Sequence, residues 1–308
     1  MPCCVGQKVR TSMASSLRTI FETARHEGWA LGAFNVSNLE DVKAVMLAAK
    51  KLDAPVLIEA SPGEIEYFGM QSLRAVVDEY KEIYQVSAWL NVDHTVESER
   101  VETAIKTGFE YVHFDGSLLE RSENIATLKK LVPIARKHQI LIEGEPDHIT
   151  GSSTTHSDTL NSIQASSAYS EPEAFKAFVE ETKVDTAAVF IGNVHGLYSQ
   201  PKRLDLELLK ILRSQVDCYL SLHGGSGIPD KDIKAAVALG VTKINVNSEL
   251  REAFLEGLRT AVRKPKEIAP YKYLPKAIEA VQKVVEEKII LFGAVGKAKQ
   301  RWIKRVIL

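Results

Sequence analysis

Eight times along the chain a short apolar run is followed by a longer segment with apolar residues spaced three and four apart. No other feature constrains the fold as strongly. The strand candidates are residues 30–36, 54–60, 87–92, 111–116, 140–145, 186–192, 218–224 and 241–246. Ser37 or Asn38 can cap the first helical pattern, which carries Leu39, Val42, Val45, Met46 and Ala49 on one face. Later patterns cover Leu73 to Ile83, Glu97 to Lys106, a stretch ending at Lys137, Glu171 to Glu181, Leu204 to Leu212, Asp230 to Leu239 and Ser248 to Val262. A further amphipathic helix is expected from Leu274 to Lys288. Eight strand–helix units in about 250 residues fit one (β/α)8 TIM barrel, and nearly continuous apolar strands fit a parallel sheet covered by helices. An open doubly wound sheet could use the same alternation, but no Gly-rich nucleotide fingerprint follows the first strand. The expectation is an α/β single domain over 1–308: a TIM barrel at about 17–265, then a C-terminal helical extension and basic tail at 266–308.

Composition narrows the function. The chain has 308 residues, with 39 Lys and Arg against 40 Asp and Glu, so its formal net charge is −1. That balance argues against a nucleic-acid partner, which would call for a clustered basic surplus. Three cysteines, two of them adjacent (Cys3 and Cys4), do not make a disulfide framework and suit a reducing compartment. No apolar run reaches the roughly 18 residues of a membrane span. The first residues, MPCCVGQKVR, lack the apolar core of a signal peptide. A soluble cytoplasmic protein with no membrane partner is expected.

Barrel enzymes do their chemistry at the C-terminal ends of the strands. Here those ends carry Asn35, Ser61, Asp93 with His94, Asp115, Glu143 with Glu145, Asn193 with His195, His223, and Asn245 with Asn247. His26 and His138 sit in surface contexts, His113 reads as a hydrogen-bonded residue inside its strand, and His148 and His156 lie in a long loop. His94, His195 and His223 close three different strands and together point to a catalytic zinc site, which typically has three protein ligands and an open position. Three independent hydrogen-bonded histidines are the competing reading. The segments HGGSG (223–227) and INVNSEL (244–250) each run into a helix, where small residues and free amides favour an anion. In barrels the loops after strands seven and eight commonly hold phosphate.

A metal beside a phosphate pocket can polarise the carbonyl of a phosphorylated ketone. Asp93, next to His94, is placed for proton transfer to a substrate hydroxyl, or else only orients a metal histidine. Lys243 lies at the wrong end of its strand for a Schiff base, which disfavours that mechanism.

The segments GAFNVSNLE (32–40), NVDHT (91–95), GNVHGLY (192–198), LHGGSG (222–227) and KINVNSELR (243–251) resemble the class II, zinc-dependent fructose-bisphosphate/tagatose-bisphosphate aldolases. The likeness runs from about residue 17 to 298 and is nearer the shorter branch of that family. It implies Zn2+ as cofactor, with a monovalent cation as a second candidate ion. It also implies His94, His195 and His223 as zinc ligands, Glu145 beside the metal, and Asp93 handling the proton of the C4 hydroxyl. Gly196, Gly224, Gly225, Ser226, Asn245, Val246, Asn247 and Ser248 match positions that hold dihydroxyacetone phosphate, and Asn35 and Ser61 join them as rim candidates. The implied reaction is reversible cleavage of a ketose 1,6-bisphosphate, fructose or tagatose, by a homodimer or homotetramer.

One departure stands out. The family's mobile loop supplies a glutamate that moves a proton of dihydroxyacetone phosphate, whereas no glutamate occurs here between Glu145 and Glu171. Asp158 and His156 are the only substitutes nearby, and Arg251, Lys272 and Lys276 are the candidates for a second phosphate. An epimerase, an aldolase for another phosphorylated sugar, or a non-catalytic subunit that keeps the metal site therefore stay open as alternatives.

Overall fold

The computed structural model describes residues 16–154, 169–263 and 268–298. The loop candidates His156 and Asp158 and most of the basic tail lie outside these residues. The chain begins with α1 (Leu17–Glu27) and β1 (Leu31–Asn35), then α2 (Leu39–Leu52), β2 (Val56–Ala60), α3 (Pro62–Phe68) and α4 (Met70–Tyr84). It continues with β3 (Ala88–Thr95), α5 (Ser98–Thr107), β4 (Tyr111–Phe114), α6 (Arg121–Lys137), β5 (Leu141–Gly144) and α7 (Pro172–Thr182). After these come β6 (Thr186–Ala188), α8 (Leu206–Gln215), β7 (Tyr219–Leu222), α9 (Asp230–Ala238), β8 (Val241–Val246) and α10 (Ser248–Val262). Two last helices follow, α11 (Pro270–Tyr273) and α12 (Pro275–Leu291).

All eight strands are parallel and close in chain order, with β8 pairing β1 through Leu31–Lys243 and Ala33–Asn245. The TIM barrel and its helical extension are as expected. Local signals set the helix ends: Asn38 accepts from the Asp41 amide to open α2, and Ser16 accepts from Thr19 to open α1. The extension folds back under the barrel. There Ala30 donates to the Phe292 carbonyl and Gly296 to that of Leu52.

Three local departures from the expected pattern shape the site. Strand β3 continues past 92 to Thr95, with its register to β4 shifting between Val92 and Thr95. His94 sits in that irregularity at φ 45°, a left-handed conformation costly for a residue with a Cβ and often found where a side chain is re-aimed. Strand β6 stops at Ala188 rather than 192 because Asn193 intercepts the backbone: its Oδ1 accepts from the Ile191 amide and its Nδ2 donates to the Val189 and His223 carbonyls. Between β2 and α4 the short α3 intervenes. Its Glu64 carboxylate reaches back to the Ser61 amide at 2.7 Å.

Alternate strand residues face the barrel axis. In the lower half these include Glu59, Asn91, Tyr111, Glu143, Ser221 and Lys243, all but Tyr111 polar or charged in character and all buried. They bond between neighbouring strands and, through Lys243 and Glu143, across the axis, so the barrel is filled partly by a polar network instead of by aliphatic layers alone.

Candidate active site

At the C-terminal rim, three ring nitrogens converge. His94 Nε2 lies 2.9 Å from His223 Nδ1 and 3.2 Å from His195 Nε2. Each imidazole's other nitrogen is anchored: His94 Nδ1 by Asp115 at 2.9 Å, His195 Nδ1 by the Ile149 carbonyl at 3.1 Å, and His223 Nε2 by Glu143 at 2.7 Å. Anchoring of the outer nitrogen fixes tautomer and ring plane, as metal-binding histidines require. Nitrogens bound tetrahedrally at about 2.0–2.1 Å from a metal stand roughly 3.3 Å apart. The donor set thus fits a divalent ion with little rearrangement.

Charge reinforces this. Burial opposes a proton on His94, but Asp93, Glu145 and Asp115 push its pKa up to about 9. Burial together with the charges of His94 and His223 drives His195 well below the ordinary histidine range. His223 is lowered by burial despite the Glu143 carboxylate. One proton among the three facing nitrogens, on His94, is therefore the favoured state of the metal-free cluster.

Asp93 lies beside this cluster with its two oxygens oriented by amides: Asn245 Nδ2 donates to Oδ1 at 3.0 Å and Asn35 Nδ2 to Oδ2 at 3.3 Å. Burial works against its ionisation, but His94, His113, His223 and Lys243 hold the carboxyl well below the usual carboxylate range. This buried carboxylate is one wall of a small cleft at the rim. The cleft is lined by Asn35, Asp93, His94, Ser153, His195, Gly196, Gly224, Ser226, Asn245, Asn247 and Ser248.

The remaining candidates divide. Gly224, at φ 60°, could not carry a Cβ without striking the Val194 carbonyl, so the loop passes close behind His195 only because that position is glycine. Gly225 spends its amide on the Asn245 carbonyl, and Val246 is a strand residue paired with Phe34; neither lines the cleft. Ser61 does not line it either, being occupied at the start of α3. Glu145 faces the other side of His94: its Oε2 stands 3.6 Å from His94 Nδ1 and 3.4 Å from His113 Nε2, away from the three converging nitrogens. Among the second-phosphate candidates, Arg251 reaches the rim, donating to Glu64 Oε1 at 2.6 Å and to the Ser153 carbonyl at 3.1 Å. Lys276 pairs with Glu279 on α12.

Comparison with known proteins decides the family. The family model for class II fructose-bisphosphate aldolase matches residues 15–297. The chain belongs to that family. A sulfofructosephosphate aldolase from Alkalicoccus urumqiensis is 34% identical over 283 residues, covering 92% of this chain and 97% of the relative. Among solved structures, the YdjI aldolase from Escherichia coli K12 superposes with a TM-score of 0.80 at 29% identity, covering 93% of this chain and all (100%) of that one. A fructose-bisphosphate aldolase from Campylobacter jejuni gives 0.77 at 25% identity, with 93% and 97% covered. This class II aldolase is thus a lyase, from a family that acts on phosphorylated sugars and uses a divalent metal.

Sequence reasoning missed several residues that shape this site. Glu143 reads as a rim residue but sits one layer lower, under His223. His113 reads as a hydrogen-bonded barrel histidine and is one: its Nδ1 accepts from the His94 amide at 3.0 Å and faces Asp93 at 3.5 Å. Glu64, Glu59 and Lys202 gave no sequence motif. For Glu59 the period-two alternation in VLIEA was the available signal.

Proposed function

We propose that this chain is a zinc-dependent aldolase that cleaves a ketose 1-phosphate between C3 and C4, releasing dihydroxyacetone phosphate and an aldehyde. The observation that carries the reading is the convergence of His94, His195 and His223, each with its second nitrogen anchored, beside Asp93 and the Gly-rich loop 223–227. A bound zinc ion would act as a Lewis acid on the ketose carbonyl. Asp93 takes the proton of the C4 hydroxyl as the C3–C4 bond breaks and C4 becomes an aldehyde. The bonding electrons pass toward C2, and C3 takes up a proton from solvent before release, while Asp93 gives its proton back to solvent. Asn35 and Asn245 keep the Asp93 carboxylate aimed at the cleft. Ser226, whose Oγ accepts from the Glu249 amide, and the Ser248 amide at the start of α10 hold the phosphate.

The far end of the substrate has two readings. Fructose or tagatose 1,6-bisphosphate needs a cation for its second phosphate, and Arg251 is the rim candidate. That guanidinium already pairs with Glu64, and the 34% identical relative is named for a sulfofructose phosphate, so a ketose 1-phosphate with another distal group is the second reading.

A substrate panel tests both. Triose phosphate release should be abolished by EDTA and restored by Zn2+, and borohydride with substrate should trap no adduct. Full activity in EDTA would overturn the metal mechanism. Release from fructose or tagatose 1,6-bisphosphate no faster than from ketose 1-phosphates would select the second reading.

A further inference from the structure

Behind the Gly-rich loop lies a lysine with no solvent contact. Lys202, in the connection between β6 and α8, is fully buried at 0% exposure. Its Nζ donates to the carbonyl of Gly224 at 2.9 Å and to that of Ser226 at 2.5 Å, and it stands 5.8 Å from the Tyr198 ring centre. Burying a long cationic side chain costs both hydration and rotamer freedom, so a lysine placed there needs strong compensating contacts. Burial pushes its pKa down to about 7, against the nearby Glu249 carboxylate, and a bound anion would favour the charged form.

The bonding pattern shows what these contacts hold. In a planar trans peptide the carbonyl and the following amide point in opposite directions. Peptide 224–225 is gripped at both edges, by Lys202 on the Gly224 carbonyl and by the Asn245 carbonyl on the Gly225 amide. Peptide 226–227 is gripped the same way, by Lys202 on the Ser226 carbonyl and by Glu249 Oε1 on the Gly227 amide at 2.7 Å. The peptide between them, which carries the Ser226 amide, is fixed by both neighbours. A loop with three glycines in five residues has little stiffness of its own. Lys202 is a tether, reaching from another loop, that spans two of its peptides at once.

We propose that Lys202 is a positioning residue for phosphate recognition: by clamping the carbonyls of Gly224 and Ser226 it fixes loop 223–227 in its anion-accepting conformation and places positive charge behind it. The proposal rests on the reading of that loop as the phosphate site. Preorganised donors bind an anion without a reorganisation cost at the moment of binding. The clamp therefore acts on binding of the phosphate end, and the cleavage step at Asp93 is separate from it.

The test uses the zinc-loaded enzyme, with inorganic phosphate and dihydroxyacetone phosphate as calorimetric probes. Lys202→Met should weaken both by about tenfold or more and raise KM for the best ketose phosphate similarly, with kcat within about threefold of wild type. Metal content should stay unchanged. In Lys202→Ala, added methylammonium should recover part of the lost binding, which a merely structural role would not allow. Probe affinities within about twofold of wild type, a loss in kcat alone, or no rescue would each overturn the clamp. If the Met and Ala variants fail to fold, Lys202→Gln retains a donor and is expected to bind phosphate more weakly than wild type; unchanged binding overturns the proposal there too. A wild-type enzyme that binds both probes but cleaves no ketose phosphate would sink the aldolase reading and leave the clamp standing. A cleaving wild type matched in affinity by Lys202→Met would do the reverse.

Discussion

Glu143, on β5, and Glu145, just beyond it, are two residues apart, both buried and both beside histidines, yet they are used in opposite ways. Glu143 receives four donors. Ser221 Oγ and His223 Nε2 meet its Oε1, while Tyr111 Oη at 2.7 Å and Lys243 Nζ at 2.9 Å meet its Oε2. Burial opposes its charge, but Lys243, His113 and His223 hold it well below the usual carboxylate range. Glu145 is different: its Oε1 accepts one long bond from the Ile149 amide, and its buried Oε2 has no hydrogen-bond partner. His113 Nε2, 3.4 Å away, is also without one. These two atoms face each other at ion-pair distance, and the Glu145 charge acts on both His113 and His94. The Glu143 carboxylate is saturated framework. Glu145 acts on its histidines chiefly through charge.

Substitutions at the two glutamates should therefore separate stability from metal binding. Glu143→Ala leaves the Lys243 ammonium buried without its nearest anion, and removing one partner of such a pair costs about 3–5 kcal/mol. The urea midpoint should fall accordingly; an unchanged midpoint would mean that Glu59, 3.6 Å from the same ammonium, carries the pair alone. Glu145→Gln keeps the shape and removes the charge at a position with little to lose in bonding. Its stability should stay within about 1 kcal/mol of wild type, while zinc affinity, read by competition with a chelator, drops about 10–100-fold. Intact affinity in that variant would place Glu145 outside the metal's environment and remove the functional half of the contrast.

The unequal legibility of the two layers has a physical cause. Strand ends were readable because chemistry-bearing residues there interrupt apolar runs, which is how His94, His195, His223 and Asp93 stand out in the sequence. Their convergence required a closed barrel, and the alternation of eight units already implied one. Depth was not readable. Glu143 and Glu145 both appear in ILIEGE, and only the register of β5 against β4 and β6 shows that the first lies a layer below the rim. The early end of β6 at Ala188 depends on Asn193, a side chain acting in place of the sheet, and no periodicity signals that. The bulge that turns His94 is likewise a tertiary effect, since its amide is taken up by His113 of the next strand. Lys202 was invisible for a simpler reason: its partners are backbone carbonyls, which every sequence has.

Glu59 offers a second test of the layer that holds Glu143. It shares Lys243 with Glu143, but one ammonium cannot neutralise two buried carboxylates. Burial and the charge of Asp93 push the Glu59 pKa up to about 8, against the pull of Lys243 and the Asn91 amide. Its Oε2 accepts from Asn91 at 3.0 Å. The folded chain then keeps this proton up to about pH 8, whereas the unfolded chain releases it near the ordinary value of 4.5. A group whose pKa is raised by folding gives its full contribution below the unfolded value and loses it as pH rises through the folded one. Glutamine imitates the protonated acid and cannot lose that proton. Relative to Glu59→Gln, wild type should thus lose ground between about pH 4.5 and 8, by at most about 1.4 kcal/mol per pH unit, and hold level outside that window. Urea midpoints of both proteins at three pH values across the window measure it. A gap that does not move with pH would mean that Glu59 is ionised throughout and that Lys243 is divided between the two carboxylates; a gap that grows as pH rises assigns the lysine's charge to Glu143 and the proton to Glu59.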